Sequence, residues 1–152
     1  MKIIKRVPSP LYKKIYSLVP LLCVEAVVID RKNNFLLIKR KTAPMAGQWW
    51  FPGGRMYKFE PSYKAVLRNL KQEAGISGKV IKLIGIHEGI YHKGHFPGIS
   101  CHTPTLVYLV NVTKRAKVSL DSTSLEYQWF NKINPRWNIH IKKFLRLAGM
   151  IK

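Results

Sequence analysis

The segment from Gly53 to Ile76 constrains the fold more than any other part of the chain. It begins with a glycine pair, continues through a helical pattern over 61–74, and ends at Gly75, which suits the left-handed position after a helix. The chain has only 7 aspartate and glutamate residues, yet Glu60 and Glu73 both fall in this segment. Because carboxylates are so scarce, their position beside a glycine turn predicts a metal and phosphate site.

The spacing within this segment resembles the box of the Nudix hydrolases, G-x5-E-x7-R-E-U-x-E-E-x-G-U, in which U is a bulky apolar residue. The box spans residues 54–76, and it departs from the family pattern at Asn69 and Gln72, where Glu is usual. The resemblance implies the Nudix fold, an α/β (α+β) architecture with a mixed β-sheet sandwiched between helices. The matching residues are Gly54, Glu60, Arg68, Leu70, Glu73, Gly75 and Ile76.

The apolar pattern outside the box predicts the same architecture. Ser9 suits the N-cap of a first helix and Pro10 its first turn, with Leu11, Ile15 and Leu18 recurring at helical spacing. Strands on both sides of the box helix, with helices at both ends of the chain, favour a mixed sheet between helices. The predicted strands cover 21–29, 35–39, 80–90 and 105–112, a short strand or turn covers 126–130, and the last helix covers 135–147.

Size and charge restrict the class of protein further. A chain of 152 residues predicts one domain, 1–152, with a substantial core. The net charge of +20 favours an anionic small molecule such as a nucleotide, and it leaves nucleic acid open as a partner. No apolar run approaches the roughly 20 residues that a membrane span needs. Cys23 and Cys101 lack metal-ligand spacing, which predicts reduced thiols in a cytoplasmic protein.

The box helix predicts how a metal ion is held. Positions 69, 72 and 73 lie on one helix face, where Glu73 keeps its charge and Gln72 offers a neutral oxygen. The resemblance implies that the main-chain carbonyl of Gly53 is a further ligand. We expect Mg²⁺, with Mn²⁺ as an alternative, bound mainly together with substrate phosphates. Because the two usual glutamates are missing, a catalytically inactive site stays open as an alternative.

Glu60 and Arg68 are the other charged residues that match the box. The resemblance implies that they make an ion pair that supports catalysis by pinning the loop to the helix. We assign them this role rather than direct contact with the reacting atoms.

Two further arginines resemble those of one Nudix branch, the GDP-mannose mannosyl hydrolases. That branch also lacks the two box glutamates, and it has arginines where Arg40 and Arg55 stand. Arginine suits a diphosphate because its planar fork donates two parallel hydrogen bonds. The branch cleaves the bond between sugar C1 and the phosphate oxygen and forms dimers, so the resemblance implies a nucleotide-sugar hydrolase and a homodimer. The branch also has a loop that corresponds to 91–102 here, so the resemblance makes Tyr91 and His102 further candidates for substrate binding.

The general base is the point at which this chain departs from the branch. The branch uses a histidine that follows a glutamine metal ligand, and alignment places Ser124 and Thr123 there. Neither residue can do the same work, so Glu126 is the nearest candidate base. Loop histidines remain alternatives because imidazole titrates near neutral pH. They are His92, His95 and His102.

Three functions therefore stay open from the sequence. The first is Mg²⁺-dependent hydrolysis of a nucleoside diphosphate linked to another group, such as GDP-mannose. The second is pyrophosphohydrolysis of nucleoside triphosphates or ADP-ribose-like dinucleotides. The third is a non-catalytic nucleotide-binding or RNA-binding module with the same fold.

Overall fold

A mixed sheet flanked by helices lies at the centre of this computed structural model, which describes residues 3, 7–113 and 117–150. The predicted α/β (α+β) architecture is thus confirmed. In chain order the elements are α1 (Ser9–Leu18), β1 (Cys23–Ile29), β2 (Phe35–Arg40), β3 (Trp49–Trp50), β4 (Gly53–Arg55), α2 (Ser62–Ala74), β5 (Lys79–Tyr91), β6 (Cys101–Asn111), β7 (Ser124–Phe130) and α3 (Ile139–Leu147).

Strand β1 organises the sheet. It runs parallel to β6 along one edge, and the strand order is β3-β2-β1-β6-β5. Its other edge is shared by two antiparallel partners: β4 pairs with its first half and β2 with its last two residues. On the same edge β2 then pairs with β3 at Ile38 and Lys39, while β7 pairs with the opposite edge of β2 along the whole strand. The sheet therefore opens between β2 and β4, and this opening positions the site.

The two faces of β1 pack against different helices. Val24 and Ala26 belong to the core cluster that includes α2, whereas Val27 and Ile29 belong to the cluster that includes α3. Because helices cover both faces, nearly every residue of the strand is apolar. Glu25 lies on the α3 face of this strand and is also buried.

Helix α2 confirms the helix and the glycine stop that the sequence predicts for the box. It covers Ser62–Ala74, and Gly75 follows it with a left-handed φ of 70°. The sequence predicts this helix over 61–74, and in the structure Pro61 is the N-cap residue that precedes it. A hairpin joins β1 and β2, and in its turn Asp30 Oδ1 accepts hydrogen bonds from the main-chain N–H groups of Lys32 and Asn34, each at 2.8 Å.

The end helices differ from the predictions. Ser9 is the first residue of α1 rather than its N-cap, and no side chain caps that end. The apolar stripe expected to pack inward is exposed at Leu11 and Leu18, because Tyr16 is the buried residue of α1 and its ring packs edge-on against Phe96. Helix α3 begins only at Ile139. Within the described ranges, none of the helices combines the length and apolar character needed to cross a membrane.

The loop predicted over 91–102 is shorter than expected. Ile90 pairs with His102, and Tyr91 pairs with Cys101, so the ladder between β5 and β6 continues into the predicted loop. Only 92–100 connects the two strands. His102 is therefore a strand residue, with consequences for its predicted role.

Candidate active site

A cleft lies where β2 and β4 separate. One cavity of about 200 Å³ extends toward α1 and is called the α1 lobe. A second cavity of about 160 Å³ extends toward α2 and β7 and is called the α2 lobe. The two lobes meet at residues that line both of them, which are Arg40, Thr42, Gly53 and Gly54.

The glycine pair allows β4 to lie close to its neighbours. A Cβ atom on Gly53 would stand 2.3 Å from the carbonyl oxygen of Val24, and one on Gly54 would stand 2.7 Å from Oδ1 of Asn69. No larger residue fits position 53 without moving the strand. This close approach brings the main chain of β4 within hydrogen-bonding distance of α2.

Glu73 reaches the cleft from the end of α2. Its Oε2 accepts a hydrogen bond from the main-chain N–H of Gly53 at 2.8 Å, and the side chain lines the α2 lobe. Among the described residues, Oε1 has no hydrogen-bond partner. Burial raises the pKa of the Glu73 carboxyl to about 7, although the hydrogen bond from Gly53 opposes the shift. A desolvated carboxyl with one oxygen free toward the cleft fits a divalent cation, which would displace its proton.

The other two side chains expected on this face are engaged elsewhere. Gln72 Oε1 accepts a hydrogen bond from Arg68 Nη1 at 2.9 Å, so the structure does not present it as the predicted metal ligand. Asn69 is buried, and its Nδ2 donates to the carbonyl of Ala65 at 3.0 Å. In the part of the chain that the structure describes, no group of three or more His, Cys, Asp or Glu side chains could hold a metal ion. Of these three box positions, only Glu73 carries a carboxylate.

The ion pair expected between Glu60 and Arg68 is present. Arg68 Nε and Nη2 donate to the two oxygens of Glu60, each at 2.7 Å, in the bidentate arrangement that is strongest for such pairs. Arg68 Nη2 also donates to the carbonyl of Arg55 at 3.0 Å. The hydrogen bonds to Glu60 raise the pKa of the Arg68 guanidinium. The pair therefore ties α2 to the end of β4, next to the cleft.

The candidate substrate-binding arginines lie together at the cleft. Arg40 lines both lobes, and its Nε donates to the carbonyl of Pro44 at 2.8 Å, which orients the guanidinium. Arg55 lines the α1 lobe with its guanidinium 4.6 Å from the ring centroid of Tyr12. Tyr91 lines the same lobe, and burial raises the pKa of its hydroxyl to about 12, so it keeps its proton near neutral pH.

Glu126 and His102 do not join this group. Glu126 lies opposite Lys39 and pairs with Lys39 Nζ at 2.7 Å on the exposed surface. A register shift between Lys39 and Arg40 then places Ser124 opposite Arg40, and Ser124 lines the α2 lobe. Lys39 and Arg40 are neighbours and point to opposite faces, and residues opposite each other in paired strands share a face. Glu126 and Ser124 therefore lie on opposite faces of the sheet, although they are only two residues apart. His102 pairs instead with Glu88 at 3.3 Å and does not line either lobe.

One residue of the α1 lobe was missed from the sequence. Glu25 lines it, and the carboxylate accepts a hydrogen bond from Trp50 Nε1 at 2.8 Å. Its other oxygen lies 2.6 Å from Nε2 of His140, in α3. The available signal was a single carboxylate within an otherwise apolar buried strand. Of the loop histidines, His95 lines the α1 lobe.

Comparison with known proteins agrees with this fold. The NUDIX domain model matches residues 20–147, so the chain belongs to the Nudix family of hydrolases. Members of this family generally use divalent metal ions. Among solved structures, a MutT protein from Methanosarcina mazei Go1 superposes with a TM-score of 0.71 at 21% identity, covering 87% of this chain and 95% of that one. This likeness supports the fold.

Two curated relatives are similar in sequence. The low-salt glycan biosynthesis protein Agl8 of Haloferax volcanii is 30% identical over 121 residues, covering 80% of this chain and 72% of that protein. An ADP-ribose pyrophosphatase of Methanocaldococcus jannaschii is 38% identical over 86 residues, covering 57% of this chain. The match spans 49% of the length of that pyrophosphatase.

Proposed function

We propose that the protein is a Mg²⁺-dependent hydrolase of a nucleoside diphosphate linked to another group, with a nucleotide sugar such as GDP-mannose as the substrate class. The observation that carries this proposal is the position of Glu73 against Gly53, at a cleft that Arg40 and Arg55 also line. A sugar is favoured because the two arginines and the missing box glutamates resemble the GDP-mannose mannosyl hydrolase branch. The glycan-related name of the Agl8 relative points in the same direction.

Different residues of the cleft bind the diphosphate and the cation. Arg40, at the junction of the lobes, and Arg55, in the α1 lobe, clamp the diphosphate through their guanidinium N–H groups. Glu73 and the main-chain carbonyl of Gly53 would hold the cation, for which Mg²⁺ is preferred and Mn²⁺ is an alternative. A cation held there would offset the charge that develops on the departing diphosphate. Tyr91 contributes a hydroxyl donor to the α1 lobe.

In this reaction water attacks the anomeric carbon of the sugar. A bond forms between the water oxygen and C1, the bond between C1 and the phosphate oxygen breaks, and the water proton passes to a base. The diphosphate leaves with the bonding electrons, and the arginines stabilise its charge. Glu60 and Arg68 support this arrangement by fixing α2 against β4.

A second candidate is pyrophosphohydrolysis, in which water attacks phosphorus and releases a nucleoside monophosphate. The observation in its favour is the similarity to the ADP-ribose pyrophosphatase. The same cleft residues would then bind the pyrophosphate, and only the position of the attacking water would differ.

Product analysis in ¹⁸O-labelled water tests the proposal. GDP-mannose and ADP-ribose are incubated with Mg²⁺, and the products are identified by mass spectrometry. We expect GDP and mannose, with the label on mannose. GMP and mannose 1-phosphate, with the label on phosphate, would instead establish the second candidate. Absence of turnover with both substrates would contradict both.

We also propose an assembly and a location for the protein. We expect residues 1–152 to form a single domain, and the protein to act as a homodimer in the cytoplasm. Light scattering coupled to size-exclusion chromatography tests the dimer through the measured mass, since a monomer has 17.6 kDa.

A further inference from the structure

A buried histidine of the C-terminal helix contacts the carboxylate of the α1 lobe. His140 Nε2 lies 2.6 Å from Oε2 of Glu25, and the two side chains are 2% and 11% exposed. Oε1 of the same carboxylate accepts a hydrogen bond from Trp50 Nε1 at 2.8 Å. Each oxygen thus has a partner on a different element. Among the described residues that line this lobe, Glu25 is the one that carries a carboxylate.

The hydrogen bonds determine where the proton of His140 resides. An ionised carboxylate only accepts hydrogen bonds, so His140 must donate from Nε2. Its Nδ1 is buried and has no hydrogen-bond partner among the described residues. A proton on Nδ1 would bury an unpaired donor, which costs free energy. We therefore assign the ring proton of His140 to Nε2, from which it donates a hydrogen bond that holds Glu25.

Aromatic packing fixes the orientation of this ring. His140 stacks on Trp50 with 4.9 Å between centroids, and its ring lies 3.9 Å from that of His87. Phe144 contacts it edge-on at 5.0 Å. The main-chain N–H of His140 donates to Oδ1 of Asn138, at the cap of α3. The direction of Nε2 is set by these contacts before any ligand binds.

We propose that His140 is a positioning residue that holds the Glu25 carboxylate in the α1 lobe as a hydrogen-bond acceptor for the sugar of the substrate. The inference rests on the proposed function. Arg40 and Arg55 line this lobe and attract phosphate, whereas Glu25 repels it and accepts from O–H groups. The lobe therefore selects a ligand that carries hydroxyl donors next to its diphosphate. Sugar hydroxyls have this chemistry.

Two substitutions at His140 separate positioning from general packing. In His140→Gln the amide can still donate to Glu25, whereas His140→Leu retains bulk without a donor. We expect His140→Leu to lower kcat/KM for GDP-mannose by roughly 10-fold or more, as for a lost hydrogen bond to a charged group, and His140→Gln to stay within about 3-fold of wild type. The inhibition constant of GDP, which lacks the mannose, should change by less than about 2-fold in both.

A double-mutant cycle tests whether His140 acts through Glu25. In a Glu25→Gln background, His140→Leu should add less than about 2-fold to the loss in kcat/KM. Equal impairment by His140→Leu and His140→Gln would overturn the proposal. An equal effect on GDP, or a full His140→Leu effect in the Glu25→Gln background, would do the same. Thermal melting checks that each variant is folded.

A spectroscopic measurement separates failure of this inference from failure of the proposed function. ¹⁵N NMR of histidine-labelled protein should show His140 protonated at Nε2, with a shift that changes in Glu25→Gln. Protonation at Nδ1 would overturn the inference without any assay of activity, and it decides the matter even if His140→Leu does not fold. Absence of turnover by the wild type, with the Nε2 proton in place, would overturn the proposed function and the sugar contact but leave the Glu25–His140 hydrogen bond.

Discussion

Glu73 Oε2 accepts a hydrogen bond from the main-chain N–H of Gly53 at 2.8 Å, and this contact joins the box helix to the strand beside the cleft. Replacing Glu73 with Gln keeps the size of the side chain and removes its charge. We expect Glu73→Gln to lose at least about 100-fold in kcat for Mg²⁺-dependent hydrolysis, because it removes the carboxylate that we propose as the metal ligand. Circular dichroism should show the same fold, and activity close to wild type would contradict the assignment.

The raised pKa of Glu73 predicts a pH-dependent stability. The pKa of its carboxyl rises from 4.5 to about 7 on burial, so the folded state binds a proton that the unfolded state has released. This contribution to stability is complete below pH 4.5 and is lost as the pH rises through 7. The free energy of unfolding of the metal-free protein should fall across this window by on the order of 3 kcal/mol.

Urea denaturation in EDTA at several pH values measures this effect. The comparison is with Glu73→Gln, which has no carboxyl at this position, so the difference between the two proteins isolates one group. That difference should change with pH in the direction given above. Parallel pH profiles for the two proteins would contradict the raised pKa.

Gly53 is predicted to tolerate no side chain. The Cβ of Gly53→Ala would lie 2.3 Å from the Val24 carbonyl oxygen, so β4 must move away from β1. We expect a loss of about 1–3 kcal/mol in the free energy of unfolding, together with a loss of activity. Gly149→Ala is the control, since its Cβ would have no atom within 4 Å among the described residues beyond its chain neighbours, and its left-handed backbone is what opposes the change. That control should keep full activity.

The Glu60–Arg68 pair should contribute far more to stability than the pair of Glu126 with Lys39. The Glu60 side chain is only 6% exposed, and its removal leaves Arg68 with an uncompensated charge. We expect Glu60→Gln to lower the free energy of unfolding by about 3 kcal/mol. For the exposed pair, Glu126→Gln should cost less than about 1 kcal/mol.

Activity of the same two variants tests their placement. Glu126 lies outside the cleft, so Glu126→Gln should retain the activity of the wild type. A large loss of kcat in Glu126→Gln with unchanged stability would restore Glu126 as the base. For Glu60→Gln we expect a loss of activity that accompanies the loss of stability.

The box was predictable because its information is local. A glycine pair, a helical pattern and a glycine stop lie within one short segment, and α2 at Ser62–Ala74 matches the expected 61–74 closely. The pair of Glu60 with Arg68 was also predictable, because a family resemblance specified it residue by residue. Neither prediction required knowledge of how distant parts of the chain meet.

The rest of the site depends on contacts that spacing does not reveal. Glu25 and His140 are separated by 115 positions, and only the packing of α3 on the sheet brings them together. The direction of Glu126 depends on a register shift of one residue, which reverses the face that a strand side chain occupies. The exposed stripe of α1 follows from aromatic contacts of Tyr16 rather than from helical periodicity.

Direct binding of Mn²⁺, followed by electron paramagnetic resonance with and without GDP, tests the central claim most directly. The wild type should bind one Mn²⁺ ion per chain, more tightly when GDP is present, because substrate phosphates complete the coordination. Glu73→Gln should lose most of this binding. Equal binding by wild type and Glu73→Gln, or no Mn²⁺ binding by the wild type even with GDP, would contradict a cation held by Glu73 beside Gly53.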